Sequence, residues 1–191
     1  MSFTLYGSHP SPYVRRIRLL LDAVDYTFEA VDIYNDAGRS EYAKLSPLRK
    51  LPVLVDGDQT VFDSHIIHQY LCDKLDLPRC SLEQHNLISA VDAVTDSLIV
   101  LLMGQRSELE VDDSKFIFKL QLERIPNALD WLNERATAGA FDEWHYPAMA
   151  LISLIGWIEF RELWDLSPYT SLLSVRDQFA TRDIVLATAP Q

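Results

Sequence analysis

The sequence predicts an α/β unit followed by an all-helical one, and three observations carry this. Residues 1–78 alternate short β-rich runs with helical periodicity in the order β-α-β-α-β-β-α. Beyond residue 84 the strand signal stops and long amphipathic patterns take over. Between them, "DLPRCSLEQ" at 76–84 reads as a short linker. The expected division is therefore 1–78 and 84–191.

"FTLY" at 3–6 is a short strand, and Pro12 suits the first turn of a helix, where its missing N–H costs little. Ile17, Leu20, Leu21 and Val24 fall at helical spacing and extend that helix to about residue 24. "YTFEAVDI" at 26–33 alternates as a second strand, and 34–48 reads as a loop with a short helix. "PVLV" at 52–55 and "QTVF" at 59–62 are joined by "DGD", a hairpin signal. "DSHIIHQYLCDKL" at 63–75 is a helix with Asp and Ser at its entry. One β-α-β crossover plus one hairpin makes a four-stranded mixed sheet covered by helices.

Leu87, Val91, Val94, Leu98 and Leu101 then repeat at three and four residues as a long helix. A second helix, 115–136, contains Pro126, which should kink or split it. Residues 146–164 are apolar on nearly all sides up to Glu159, the pattern of a buried helix, and 167–182 reads as a last helix.

The net charge is −11, with −3 in residues 1–78 (8 Lys+Arg, 11 Asp+Glu) and the remaining −8 in 79–191. Neither part has the basic field a nucleic-acid binder needs. The first ten residues lack the charged and apolar regions of a signal peptide. The longest dominantly apolar stretch, 146–158, is too short to span a bilayer, so no membrane association is expected and the cytoplasm is the default. Cys72 and Cys80 have neither redox-pair nor zinc spacing and read as plain thiols, and no metal is expected.

Chemistry in the first unit concentrates at three places. Ser11 lies at the entry to the first helix, where N–H donors and partial positive charge favour an anion and a hydroxyl can donate to it. Pro52 opens a strand and leaves the Leu51 backbone at the sheet end, open to an extended peptide. Ser64 at a helix start suits a carboxylate and Asp63 beside it an ammonium, together the α-amino-acid end of a ligand. Each alone also reads as an ordinary cap or strand start; in this order, ahead of an all-helical part, they form a specific combination. Arg15, Arg16 and Arg18 point in different directions on a helix and are expected on a solvated face or in ion pairs.

With these residues in place the chain resembles a cytosolic glutathione transferase, serine-type and bacterial-like, over its whole length. "SPYVRRIRLLL" resembles the serine motif after the first strand. "LSPLRKLPVLVDGD" resembles the segment whose Val-Pro bond is cis in the family, and "FDSHIIHQYL" resembles the Glu/Asp-Ser-x-x-Ile segment. "GWIEFRELW" and "RDIVLATAP" resemble the family's central-helix and C-terminal segments. The resemblance implies a thioredoxin-like N-terminal domain, a helical C-terminal domain and a homodimer. It implies glutathione as co-substrate: Ser11 on the sulfur, Leu51 with Pro52 on the cysteinyl backbone, Asp63 and Ser64 on the γ-glutamyl end, Lys50 and His9 toward the glycine carboxylate. The thiolate would attack a small electrophile in a pocket between the domains. An isomerase, dehalogenase or thiol-exchange enzyme of the same fold, or a non-catalytic binding protein, is the alternative. Tyr6 is rejected as thiol partner, because the tyrosine of other classes aligns with Gly7 and a one-residue shift turns a strand side chain to the opposite face.

Two departures stand out. Arg49 replaces a glycine usual in the family. At 145–148 the Ser/Thr cap and the Asp three residues on are replaced by His145 and Ala148, which predicts a helix without its capping box, eased by Pro147.

Overall fold

Four strands form one sheet in the order β2-β1-β3-β4: β1 (Phe3–Gly7), β2 (Tyr26–Ala30), β3 (Val53–Asp56) and β4 (Gln59–Phe62). The computed structural model describes residues 3–32 and 36–191. β1 runs parallel to β2 and antiparallel to β3, and β3 is antiparallel to β4, so the sheet is mixed as the crossover-plus-hairpin pattern predicts. Phe3, Leu5, Val53 and Leu54 are fully buried. Helices α1 (Pro12–Leu20), α2 (Asp36–Leu45) and α3 (Ser64–Leu75) complete the β-α-β-α-β-β-α order. α1 stops short of the expected residue 24: the Leu21 N–H still reaches the Ile17 carbonyl, but the chain turns after it. β2 is shorter than expected, and position 33 at the far end of the predicted strand lies outside the described residues.

Gly7, the last residue of β1, lets α1 lie close to the sheet. A Cβ there would come within 2.8 Å of Cγ2 of Val14 and closer still to Cγ1. Val14 is itself 1% exposed and has nowhere to move. At the other end of the sheet, Lys74 and the Tyr70 hydroxyl on α3 bind the Asp56 carboxylate at 2.7 and 2.6 Å, fastening α3 to the hairpin. These bonds, that from Lys74 first, hold the Asp56 carboxyl below its ordinary range.

The remaining helices are α4 (Leu82–Arg106), α5 (Phe116–Thr137), α6 (Tyr146–Arg161), α7 (Thr170–Phe179) and α8 (Asp183–Ala187). The chain divides into Met1–Arg79 together with Arg182–Gln191, and Cys80–Thr181. The sequence reading carried the helical unit to residue 191; the last ten residues instead join the first unit, because Arg15 on α1 binds the Val185 carbonyl. In the helical unit α4 packs on α5 and α6, and α7 on α5 and α6. α4 is long and apolar enough to cross a membrane by length and composition, but Leu87, Val91, Val94 and Leu98 are buried, as in a core helix of a folded unit. α5 runs through Pro126 and is not split; Ile125, Leu129 and Leu132 on its buried face hold it across the lost hydrogen bond. Asn133 on α5 accepts from the Ser171 and Leu172 N–H groups (3.0 and 3.3 Å), giving α7 the cap that its own Tyr169 does not supply.

α6 is buried on nearly all sides, as its composition predicts, and its start lacks the capping box, as expected, but carries a side-chain cap that the sequence reading did not name. His145 Nδ1 accepts from the Ala148 N–H at 3.2 Å. An accepting Nδ1 leaves the proton of a neutral imidazole on Nε2, which donates to the Ala140 carbonyl at 3.2 Å. One side chain thus caps the helix and ties it to the preceding turn.

Two further positions generate expectations with this one. His145→Ala should cost about 1 kcal/mol, the worth of a side-chain cap, read as a lowered midpoint in urea; an unchanged midpoint would show the cap to be idle. Gly7→Ala should cost about 1–3 kcal/mol through overpacking against Val14, read the same way. Arg49 holds a left-handed φ of +50°, which explains the glycine usual there. Arg49→Gly should therefore raise stability by about 0.5–1 kcal/mol, a gain visible as a higher melting temperature.

Candidate functional site

The site is built by register. Val53 pairs with Tyr6 on one side and with Phe62 on the other. The end of β1, the start of β3 and the end of β4 therefore lie side by side, and the segments leaving them emerge at one end of the sheet. Those segments are 8–11, 50–52 and 63–64, which hold every residue expected from the sequence: His9, Ser11, Lys50, Leu51, Pro52, Asp63 and Ser64.

Ser11 is the N-cap of α1. Its backbone is extended, and its Oγ accepts from the Val14 N–H at 3.3 Å. An accepting hydroxyl keeps its own proton to donate elsewhere. Pro12 occupies the first turn, which contains no acidic residue, so nothing local offsets the positive end of the helix dipole. A hydroxyl donor on a helix N-terminus suits a thiolate or another anion. His9 packs edge-on against the Phe28 ring at 5.1 Å, and its Nδ1 lies 3.4 Å from Nε2 of Gln191.

The Leu51–Pro52 peptide is cis. Pro52 is buried, Leu51 half-buried and Lys50 exposed. The strand ladder begins at Val53, so the Leu51 backbone lies beyond it, at the sheet end where an extended ligand could run alongside.

The Asp63–Ser64 pair, expected to meet an ammonium and a carboxylate, also builds the start of α3. Asp63 is the N-cap of α3: its Oδ1 accepts from the His65 N–H at 2.9 Å and from the Ile66 N–H at 3.5 Å. It does so at φ 77°, ψ 129°, a strained conformation for any residue but glycine, which costs on the order of 1–3 kcal/mol. Its carboxylate is exposed, so Oδ2 can face a cation while Oδ1 holds the helix. Ser64, the first helical residue, is 4% exposed.

Other expectations are corrected. Arg15 and Arg16 are not on a solvated face but 4% and 0% exposed. The Arg16 guanidinium lies over the Tyr13 ring at 4.8 Å, and Arg15 donates from Nη2 to the Val185 carbonyl at 3.0 Å and from Nε to Thr188 Oγ1 at 3.5 Å. Arg18 lies over Phe28 at 4.6 Å. A signal was present: Arg15 follows Pro12 by three residues and precedes Leu19 by four, on the buried stripe of α1. Two of the groups it binds are 170 and 173 residues away, beyond any local pattern. Cys72 is buried with its Sγ 3.3 Å from His68 Nε2, and burial pushes its thiol pKa up, away from nucleophilic use. The place of the family tyrosine, Gly7, has no room for a side chain.

Comparison with known proteins bears on the fold. Residues 5–79 match the glutathione S-transferase N-terminal domain. The uncharacterized GST-like protein YibF of Escherichia coli (strain K12) is 27% identical over 169 residues, 83% of each chain. The crystal structure of a glutathione S-transferase from Methylobacillus flagellatus, solved with GSH bound, superposes with a TM-score of 0.87 at 21% identity, over 99% of this chain and 100% of that one. A glutathione transferase family member from Pseudomonas fluorescens Pf-5, solved with bound glutathione, superposes at 0.84 with 22% identity, over 99% of both chains. Residues 5–79 thus match a glutathione S-transferase N-terminal domain, and the fold of the chain, a thioredoxin-like β-α-β-α-β-β-α unit followed by a helical unit, is the fold of these solved structures.

Proposed function

We propose that the chain is a glutathione transferase that activates the glutathione thiol at Ser11 for attack on a small electrophile. The observation that carries this reading is the sheet register, which delivers the Ser11 helix entry, the cis Leu51–Pro52 peptide and the Asp63 cap to one end of the sheet. The glutathione bound in structural neighbours supports it.

In this reading Leu51 pairs its backbone with the cysteinyl part, and Asp63 faces the γ-glutamyl ammonium with the Ser64 N-terminus taking the adjoining carboxylate. Lys50 and His9 meet the glycine carboxylate. The sulfur then lies at Ser11. A free thiol titrates at about 8.5. A hydroxyl proton and the uncompensated N-terminus of α1 would lower that by about two units, roughly 2.7 kcal/mol in favour of the thiolate. The thiolate forms an S–C bond as the leaving group departs with the electron pair of its bond to carbon. The proposal extends to a homodimer in the cytoplasm: Phe116 and Ile117 at the start of α5, 74% and 58% exposed, offer apolar surface that a second copy would cover.

Calorimetric titration with glutathione should show saturable binding, and an aryl-halide assay should show turnover. Absence of binding would sink the reading, and binding without turnover across an electrophile panel would reduce it to a binding protein. Ser11→Ala, which removes the hydroxyl but leaves the helix N-terminus, should lower kcat about tenfold, the equivalent of half the two-unit shift, with glutathione affinity changed far less. Asp63→Asn keeps the acceptor for the α3 cap and removes only the charge; it should weaken glutathione binding about tenfold at unchanged melting temperature.

A further inference from the structure

We infer that Arg15 is a positioning residue: it fastens segment 182–191 to α1 so that Gln191 orients His9 beside the Ser11 turn. The inference rests on the reading of that turn as the glutathione site. Two bridges support it, the second depending on the first. The first is buried: Arg15, 4% exposed, holds the Val185 carbonyl through Nη2 and Thr188 Oγ1 through Nε. Thr188 is 1% exposed, and its hydroxyl donates to the Ile184 carbonyl at 2.6 Å, which aims its lone pairs at Arg15. The Arg15 N–H meanwhile donates to the Ser11 carbonyl at 2.9 Å, the first hydrogen bond of α1. One residue thus joins the candidate serine's backbone to a segment 170 positions away.

The second bridge lies at the surface. Gln191 Nε2 is 3.4 Å from His9 Nδ1. An amide NH₂ only donates, so Nδ1 accepts, and the proton of a neutral His9 stands on Nε2. His9 also packs against Phe28, and the ring edge that the Gln191 contact does not use carries Nε2. The Gln191 contact makes that edge an N–H donor, the form an anionic carboxylate needs. Arg15 touches no ligand in this scheme; it acts through residues 185–191 and His9.

Steady-state kinetics on the full chain, with glutathione and an aryl halide, test this. Gln191→Ala should raise KM for glutathione about threefold, the worth of one exposed hydrogen bond, and leave kcat within about twofold. Arg15→Gln should raise KM about tenfold. The double variant should be no worse than Arg15→Gln, because Gln191 acts only while Arg15 holds its segment. An unchanged KM in Gln191→Ala, additive effects in the double variant, or a fall in kcat alone would overturn the inference. If Arg15→Gln fails to fold, Thr188→Val, which removes one of the two buried acceptors, takes its place in the same cycle. Hydrogen exchange separates this from the parent reading: amides of 185–191 should exchange faster in the Arg15 or Thr188 variant whether or not glutathione binds. Unchanged exchange defeats the anchor, whereas wild-type protein that ignores glutathione defeats the proposed function.

Discussion

The pairing of Val53 with Tyr6 and Phe62 is the constraint on which the rest depends. A slip of one residue in either ladder would invert the faces of a strand whose inward side chains are fully buried, so the buried core enforces the register. The same register brings three loop segments, otherwise separated by up to fifty residues, to one edge of one sheet. Core packing and site assembly are therefore a single requirement. Gly7 shows the coupling in one residue: its missing side chain lets α1 close onto the sheet and so sets where Ser11 stands.

Helix N-termini do most of the remaining work, and their caps differ with their surroundings. Ser11 caps α1 through a long hydrogen bond that leaves the hydroxyl proton available. Asp63 caps α3 with one carboxylate oxygen from a strained backbone and keeps the other exposed. His145 caps α6, where both ring nitrogens are occupied by backbone partners and nothing is left over for a ligand. The first two combine capping with spare hydrogen-bonding capacity, and strain at Asp63 is the kind of cost that persists where surrounding structure enforces it. The third is wholly structural.

This contrast explains what was legible in the sequence. Strand and helix order, the four-stranded sheet and the placing of the candidate segments at one sheet end follow from local signals: alternation, helical spacing, the "DGD" hairpin and Pro or Asp-Ser at element starts. What escaped depends on partners distant in sequence. Arg15 and Arg16 looked like surface charges because their neighbours in sequence do not reveal a carbonyl at 185 or a buried ring face. Residues 183–191 looked like the end of the helical unit because a five-residue helix carries no mark of the unit it joins. Pro126 looked like a break because the packing that holds α5 together around it is tertiary. His145 was passed over as a cap because imidazole is an uncommon one, and only its second bond to Ala140 fixes the tautomer that can accept.

A chain of net charge −11 is a poor partner, at first sight, for an anionic tripeptide thiol. Screening limits the objection, since at physiological ionic strength exposed charges beyond about 8 Å contribute little, and most of the excess, −8, belongs to residues 79–191. Local charge decides instead. The first turn of α1 holds no acid, and Arg15 and Arg16 are buried in the turn that follows Ser11, where low dielectric preserves their fields. The helix dipole and two desolvated cations thus act with the same sign at the serine. Desolvating Arg15 is costly unless its donors are met, and the Val185 carbonyl and Thr188 hydroxyl are two of the groups that meet them. The same buried arginine therefore secures a segment distant in sequence and stands in the helix turn that follows the candidate serine.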